Sequence, residues 1–155
     1  MISKPLGTTI FCDDIRNEIG GSVTIVGANT NDEILFPKST DSNADAKSSC
    51  MIPVLAFYLK IIIPIKYKFK HLNIKVIQIK KEKEKTLFEA QLEAKNFPNM
   101  PPKNEDNEPS YFKLNLAHRI PGVICQPQGK IKSRMVFDQH DPIPLGTLIY
   151  KYERS

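Results

Sequence analysis

Cys12-Asp13-Asp14-Ile15-Arg16 puts a thiol, two carboxylates and a guanidinium side by side. Those groups suit three kinds of chemistry. A thiolate is a nucleophile when a base or a cation lowers its pKa. Paired carboxylates bind a hard cation, which needs six to eight oxygens from several loops. The same residues also suit a turn, where Asp accepts backbone N–H bonds and Arg pairs with a carboxylate. Gly20-Gly21 follows, then the β-branched run Val23-Thr24-Ile25-Val26. That order favours the third reading: a strand end and a glycine turn, with Asp13, Asp14, Arg16 and Glu18 as its ion-pairing groups and Gly20 and Gly21 supplying positive φ.

The rival chemistries find little support elsewhere. Catalysis by Cys12 needs a base, and His71, His118 and His140 stand far off in sequence with no cysteine-hydrolase signature. No Cys-x-x-Cys pair, Gly-x-Ser-x-Gly turn or phosphate-loop glycine spacing occurs. A calcium site would join Asp13 and Asp14 to Asp138 and Asp141, or to Asp32 and Glu33, but no dense acidic loop is present. The reading is therefore of a non-enzyme without a cofactor or metal.

The elements that must position these residues read as strands. Twelve prolines oppose long helices. From Leu55 to Phe69 every odd position is apolar, and Lys60, Lys66, Lys68 and Lys70 fall on even ones. Period-two alternation marks an extended segment with one buried face, so a strand is expected over 52–70 with a bulge or break at Pro64. The apolar phase then passes to Leu72, Ile74 and Val76, which places a turn near 70–71. Further strands are expected at 7–13, 22–28, 33–37, 86–93 and 111–117, and in three runs to the end of the chain. One helical turn capped by Asp14 is expected between the first two. Lys80 to Lys85 reads as a charged hairpin tip. About nine or ten short strands imply an all-β, single-domain antiparallel β-sandwich (Ig-like or C2-like) over 1–155, with polar loops at 38–50 and 95–110.

Charge is uneven. The net charge is +5, and residues 60–85 alone hold nine Lys against two Glu. Lys66, Lys68 and Lys70 share one parity, as do Lys130, Lys132 and Arg134. Side by side, two such strands make a basic sheet face of the kind that binds nucleic acid. Lysines on strand faces also suppress edge-to-edge aggregation. Three cysteines without a framework fit a reducing, cytoplasmic setting. The longest apolar stretch is broken by Lys60 and Pro64, so no membrane span is expected.

Residues Phe11 to Gly27 resemble a family of uncharacterised bacterial proteins with an N-terminal signature close to Phe-Cys-Asp-Asp-Ile-Arg-x-Glu-x-Gly-Gly-Lys. Here Ser22 stands in place of that lysine. The resemblance implies a β-sandwich and no particular activity. The Asp-bearing loops also resemble, more loosely, calcium-dependent C2 domains. The leading expectation is a binding module with a protein partner; nucleic-acid binding and a calcium-dependent C2-like role follow in that order.

Overall fold

The computed structural model describes residues 3–28, 33–36, 50–97, 111–126 and 128–152. They form ten strands: β1 Leu6–Cys12, β2 Asp14–Asn17, β3 Val23–Val26, β4 Glu33–Phe36, β5 Cys50–Pro64, β6 His71–Lys80, β7 Lys83–Glu93, β8 Tyr111–Cys125, β9 Gly129–Phe137 and β10 Ile143–Tyr152. A three-stranded sheet runs β1-β5-β8 and a five-stranded sheet runs β4-β10-β9-β6-β7. Pairing is antiparallel throughout except for β4, which runs parallel to β10. The two sheets pack face to face as an all-β sandwich. The loops expected at 38–50 and 95–110 lie outside the described residues, apart from Cys50 and a 3-10 turn at Ala94–Asn96 that runs on to Phe97.

The core follows from side-chain parity. Leu55, Phe57, Leu59, Ile61 and Ile63 of β5 all point inward and are no more than 1% exposed. They meet Leu72, Ile74 and Val76 of β6 and Ile131, Met135 and Phe137 of β9. Full burial of each such side chain contributes about 1.5–3 kcal/mol. One polar pair sits among them. Ser133 Oγ on β9 lies 2.7 Å from Thr9 Oγ1 on β1 and 3.4 Å from the Gly146 carbonyl. Both side chains are buried. A Cβ at Gly146 would lie 3.3 Å from Thr9, so glycine lets the sheets close over this pair.

Several boundaries differ from the sequence reading. The segment after Asp14 is a strand, not a helical turn, and β3 pairs with β2 in register Ile15–Ile25. The strand expected to reach residue 70 stops at Pro64, which has no N–H for a ladder. A turn at Ile65–Lys66, closed by the Tyr67 N–H donating to the Pro64 carbonyl at 2.9 Å, ends the strand, and the alternation resumes beyond it across one end of the sandwich. The Tyr67 and Phe69 rings turn inward against Phe137 at centroid distances of 5.1 and 5.0 Å, while Lys66, Lys68 and Lys70 face solvent. The charged tip is mostly strand: β6 and β7 pair out to Lys80–Lys83, and only Lys81 and Glu82 turn, with φ of 46° and 66°. Leu87, which breaks the alternation of β7, is the extra residue of a bulge, since Val76 pairs with Phe88 and Ile77 with Thr86. The strand expected at 111–117 and the first of the three runs after it are one strand, β8. Pro121 is tolerated because β8 is an edge strand.

The hydroxyl pair gives the first test. Ser133→Ala leaves the Thr9 hydroxyl without its side-chain partner and destabilises the fold by about 1–3 kcal/mol. Thr9→Val combined with Ser133→Ala recovers part of that loss. Urea unfolding of the four proteins in a double-mutant cycle measures the coupling; strictly additive losses would contradict it.

Candidate functional site

Two groups of side chains concentrate the polar chemistry. The first is the hairpin that carries Cys12 to Arg16. β2 and β3 lie on the outer face of the three-stranded sheet, where Ile15 covers Ala56, and Val23, Ile25 and Tyr58 pack around them. The turn is closed by Glu18 N–H donating to the Ser22 carbonyl at 2.9 Å. Gly20 and Gly21 hold φ of 91° and 83°, a region closed to most side chains. Asp13 lies against Gly27, where any Cβ would meet its carboxylate. Asp14 joins the hairpin to the sandwich. Arg119 on β8 donates from Nε to Asp14 Oδ1 at 2.7 Å and from its terminal nitrogen to the Ile15 carbonyl. Arg16 Nε reaches Asp14 Oδ2 at 3.5 Å. The Arg119 hydrogen bond, then the Ile15 backbone N–H, hold the Asp14 carboxyl below its ordinary value of 3.8. Arg119 is the residue that sequence reading missed. It is 105 positions from Asp14, and no local spacing signals a partner at that distance.

Cys12 lies beneath this clamp at 1% exposure. Burial pushes its thiol up to about 11, and Asp13 and Asp14 add to the rise. A thiol at that value is neutral and unreactive at pH 7. Cys125 is pushed up to about 11 by its own burial. It stands directly opposite Cys50 in the β5–β8 register. All three cysteines are thiols rather than disulfides.

Of the residues considered for a cation, Asp13, Asp14, Asp138 and Asp141 do not gather into one metal-holding group, and Asp32 lies outside the described residues. Asp138 lies at the end of β9, where Oδ1 accepts the His71 N–H at 2.9 Å and the Lys70 N–H at 3.0 Å. Those bonds, the one from His71 foremost, hold its carboxyl below the ordinary range. Its carboxylate thus fastens the start of β6. Among the described residues, no three His, Cys, Asp or Glu side chains gather in a way that would hold a metal ion.

The lysines separate likewise. Lys130, Lys132 and Arg134 project from the outer face of β9, whereas Lys66, Lys68 and Lys70 lie in the connection leading to the opposite end of β6. The outer face is partly neutralised: Arg134 meets Glu84 at 3.3 Å and Lys75 meets Glu89 at 3.5 Å.

The second group was not singled out from sequence. A cleft of about 320 Å³ opens between the β6–β7 tip and the end of β8. Its lining holds Lys80, Lys83 and Lys85 and one carboxylate residue, Glu84, with Gln78, Gln126 and Tyr150 as polar partners and Ile124 as an apolar wall. Gln78 Nε2 donates to the Ile124 carbonyl at 2.6 Å, and Lys80 Nζ donates to Gln126 Oε1. The signal was the Lys83-Glu84-Lys85 alternation, legible as sided only once its pairing partner is known.

Two tests follow from the hairpin. Arg119→Gln releases the clamp, and amide exchange then accelerates across Ile15 to Val26 while β6 and β9 stay protected. In the parent protein the Asp14 contribution is complete above its unfolded pKa. It fades as pH falls below 3.8 and is gone below the lower folded value. Protection that holds unchanged to the most acid folded condition would contradict the clamp. Thiol labelling at neutral pH modifies Cys50 first and reaches Cys12 and Cys125 only on unfolding; fast labelling of Cys12 would overturn its burial.

No helix among the described residues is long and apolar enough to cross a membrane. Comparison with known proteins finds no family model and no curated protein that matches this chain.

Proposed function

We propose that the protein is a non-enzymatic binding module of the cytoplasm whose partner is another protein. The observation that supports this lies where β5 begins and β8 ends. Met51 and Ile124 are cross-strand partners, and both turn outward, 60% and 56% exposed. Val54, 38% exposed, follows on β5 opposite the exposed Pro121. The outward face of a two-stranded segment is polar when it only meets water. Here it is apolar over four neighbouring positions, and such a patch on a rigid sheet suits a protein contact. The site is built for holding rather than for reacting. Cys12 is a neutral buried thiol, and the Asp14 and Asp138 carboxylates are engaged in fastening the chain. The reduced cysteines suit a reducing compartment. The likeness of Phe11 to Gly27 to an uncharacterised bacterial family adds no activity to this reading.

The test is capture from lysate with tagged full chain, parent against M51K/V54K, with and without nuclease. Both positions are exposed, so the variant keeps the far-UV spectrum and melting behaviour of the parent. Recovery of one protein partner falls at least tenfold in the variant, equivalent to about 1.4 kcal/mol, and survives nuclease. Recovery that disappears with nuclease and with K130E/K132E would replace the protein partner by nucleic acid. Recovery indifferent to M51K/V54K would remove this patch as the contact.

A further inference from the structure

The β6–β7 tip reads Lys80-Lys81-Glu82-Lys83-Glu84-Lys85, four cations against two anions. Pairing sorts these charges by face. Lys80 lies opposite Lys83, and Gln78 lies opposite Lys85. Residues opposite one another or two apart on a strand share a face. Lys80, Lys83 and Lys85 therefore stand with Gln78 on the side that lines the cleft. Glu84 also borders the cleft, but it falls on the other parity, opposite Ile79, and its carboxylate is drawn to Arg134 on the outer face at 3.3 Å. A segment of mixed charge thus gathers three ammonium groups on one side. Lys80 is held by Gln126. Among the described residues, Lys83 and Lys85 meet no carboxylate, and both are exposed.

Like charges on one concave face repel, and among the described residues the carboxylate that borders the cleft, that of Glu84, is already engaged by Arg134. A bound anion removes that cost and gains charge-assisted hydrogen bonds. The Tyr150 hydroxyl and the amides of Gln78 and Gln126 add neutral hydrogen-bonding groups at the same place, and Ile124 adds an apolar wall. A dianion with three acceptor oxygens matches three ammonium groups better than a carboxylate does. The apolar wall suits the organic part of an ester.

We infer that the cleft formed by Lys80, Lys83, Lys85, Gln78, Gln126 and Tyr150 binds the phosphate group of a phosphomonoester, with the organic part of that ester lying along Ile124. The site is distinct from the apolar patch formed by Met51, Val54 and Ile124, sharing only Ile124 with it, and it stands whether or not that patch meets a protein.

The test titrates the ¹⁵N-labelled full chain with phenyl phosphate at constant ionic strength. A second arm uses vesicles of phosphatidylcholine containing phosphatidic acid. The readout for the soluble probe is the side-chain amides of Gln78 and Gln126 and the backbone amides of residues 80–85; for vesicles it is co-sedimentation. Saturable shifts confined to those groups are expected, with affinity at least about tenfold weaker in K83Q/K85Q, the loss expected from removing charge-assisted bonds. K130Q/K132Q, altered only on the outer face, keeps the parent affinity. Response to phenyl phosphate assigns a soluble ester. Response to the vesicles alone, lost in K83Q/K85Q, assigns a lipid headgroup as the source of the same phosphate. Response to neither, or affinity equal in parent and K83Q/K85Q, overturns the site. Capture of a protein partner is read separately with M51K/V54K, so failure of one reading leaves the other intact.

Discussion

Everything in this molecule answers to β5. It is a fifteen-residue strand with five successive inward side chains shut off from water. Such a strand needs two things along its length: hydrogen-bond partners on both edges and an apolar surface opposite. β8 supplies one edge over the whole strand, and β1 supplies the other over Ala56 to Ile62. The apolar surface comes from β6, β9 and β10, whose inward residues form a single cluster with those of β5. The ends need covering too, and at one end a chain of edge-to-face rings does so: Tyr67 and Phe69 meet Phe137, Phe97 meets Phe69, and Phe112 meets Phe97.

The outer face of β5 presents the opposite problem. Ala56 is small and fully buried although it points away from the core, and Tyr58 beside it is half-buried. The β2–β3 hairpin solves this by lying over both, with Ile15 as its buried contact. The residues that looked most chemical in sequence are thus the seam between a two-stranded cover and the sheet beneath. Their polarity is needed because the hairpin is too short to bury much apolar area. Arg119 and Asp14 fasten it instead.

How much of this was legible depends on the range of the interaction. Period-two alternation is local, and it located β5 and β6 with the correct inward faces and the basic outward side of β9. It also misled, since Tyr67 and Phe69 alternate without belonging to a strand: alternation reports an extended chain with one wet side, whether or not the chain is paired. Proline at 64 marked a true end, while proline at 121 did not, because an edge strand has no use for the missing N–H on its open side. The hairpin glycines and Asp14 were legible as a turn with ion pairs. Arg119 was not, and neither was the lysine cleft. Each depends on which strands become neighbours, which in a sandwich is decided by contacts far apart in sequence. The two lysine triplets show the same limit, since equal parity on two strands does not bring their faces together.

The Thr9–Ser133 contact bears on uniqueness more than on strength. The facing surfaces of the two sheets are almost wholly Leu, Ile, Val, Phe and Met, and such surfaces tolerate sliding because one branched aliphatic residue substitutes readily for another. A relative shift of the sheets by one residue pair would keep much of the apolar contact. It would also part the two hydroxyls and leave that of Thr9 against hydrocarbon, where an unpaired hydroxyl is costly, while Ser133 would keep only the longer contact to Gly146 in its own sheet. Only one alignment satisfies both. A pair of small polar side chains therefore acts as a register pin for the whole sandwich, discriminating against near-native packings that hydrophobic burial alone would leave close in energy.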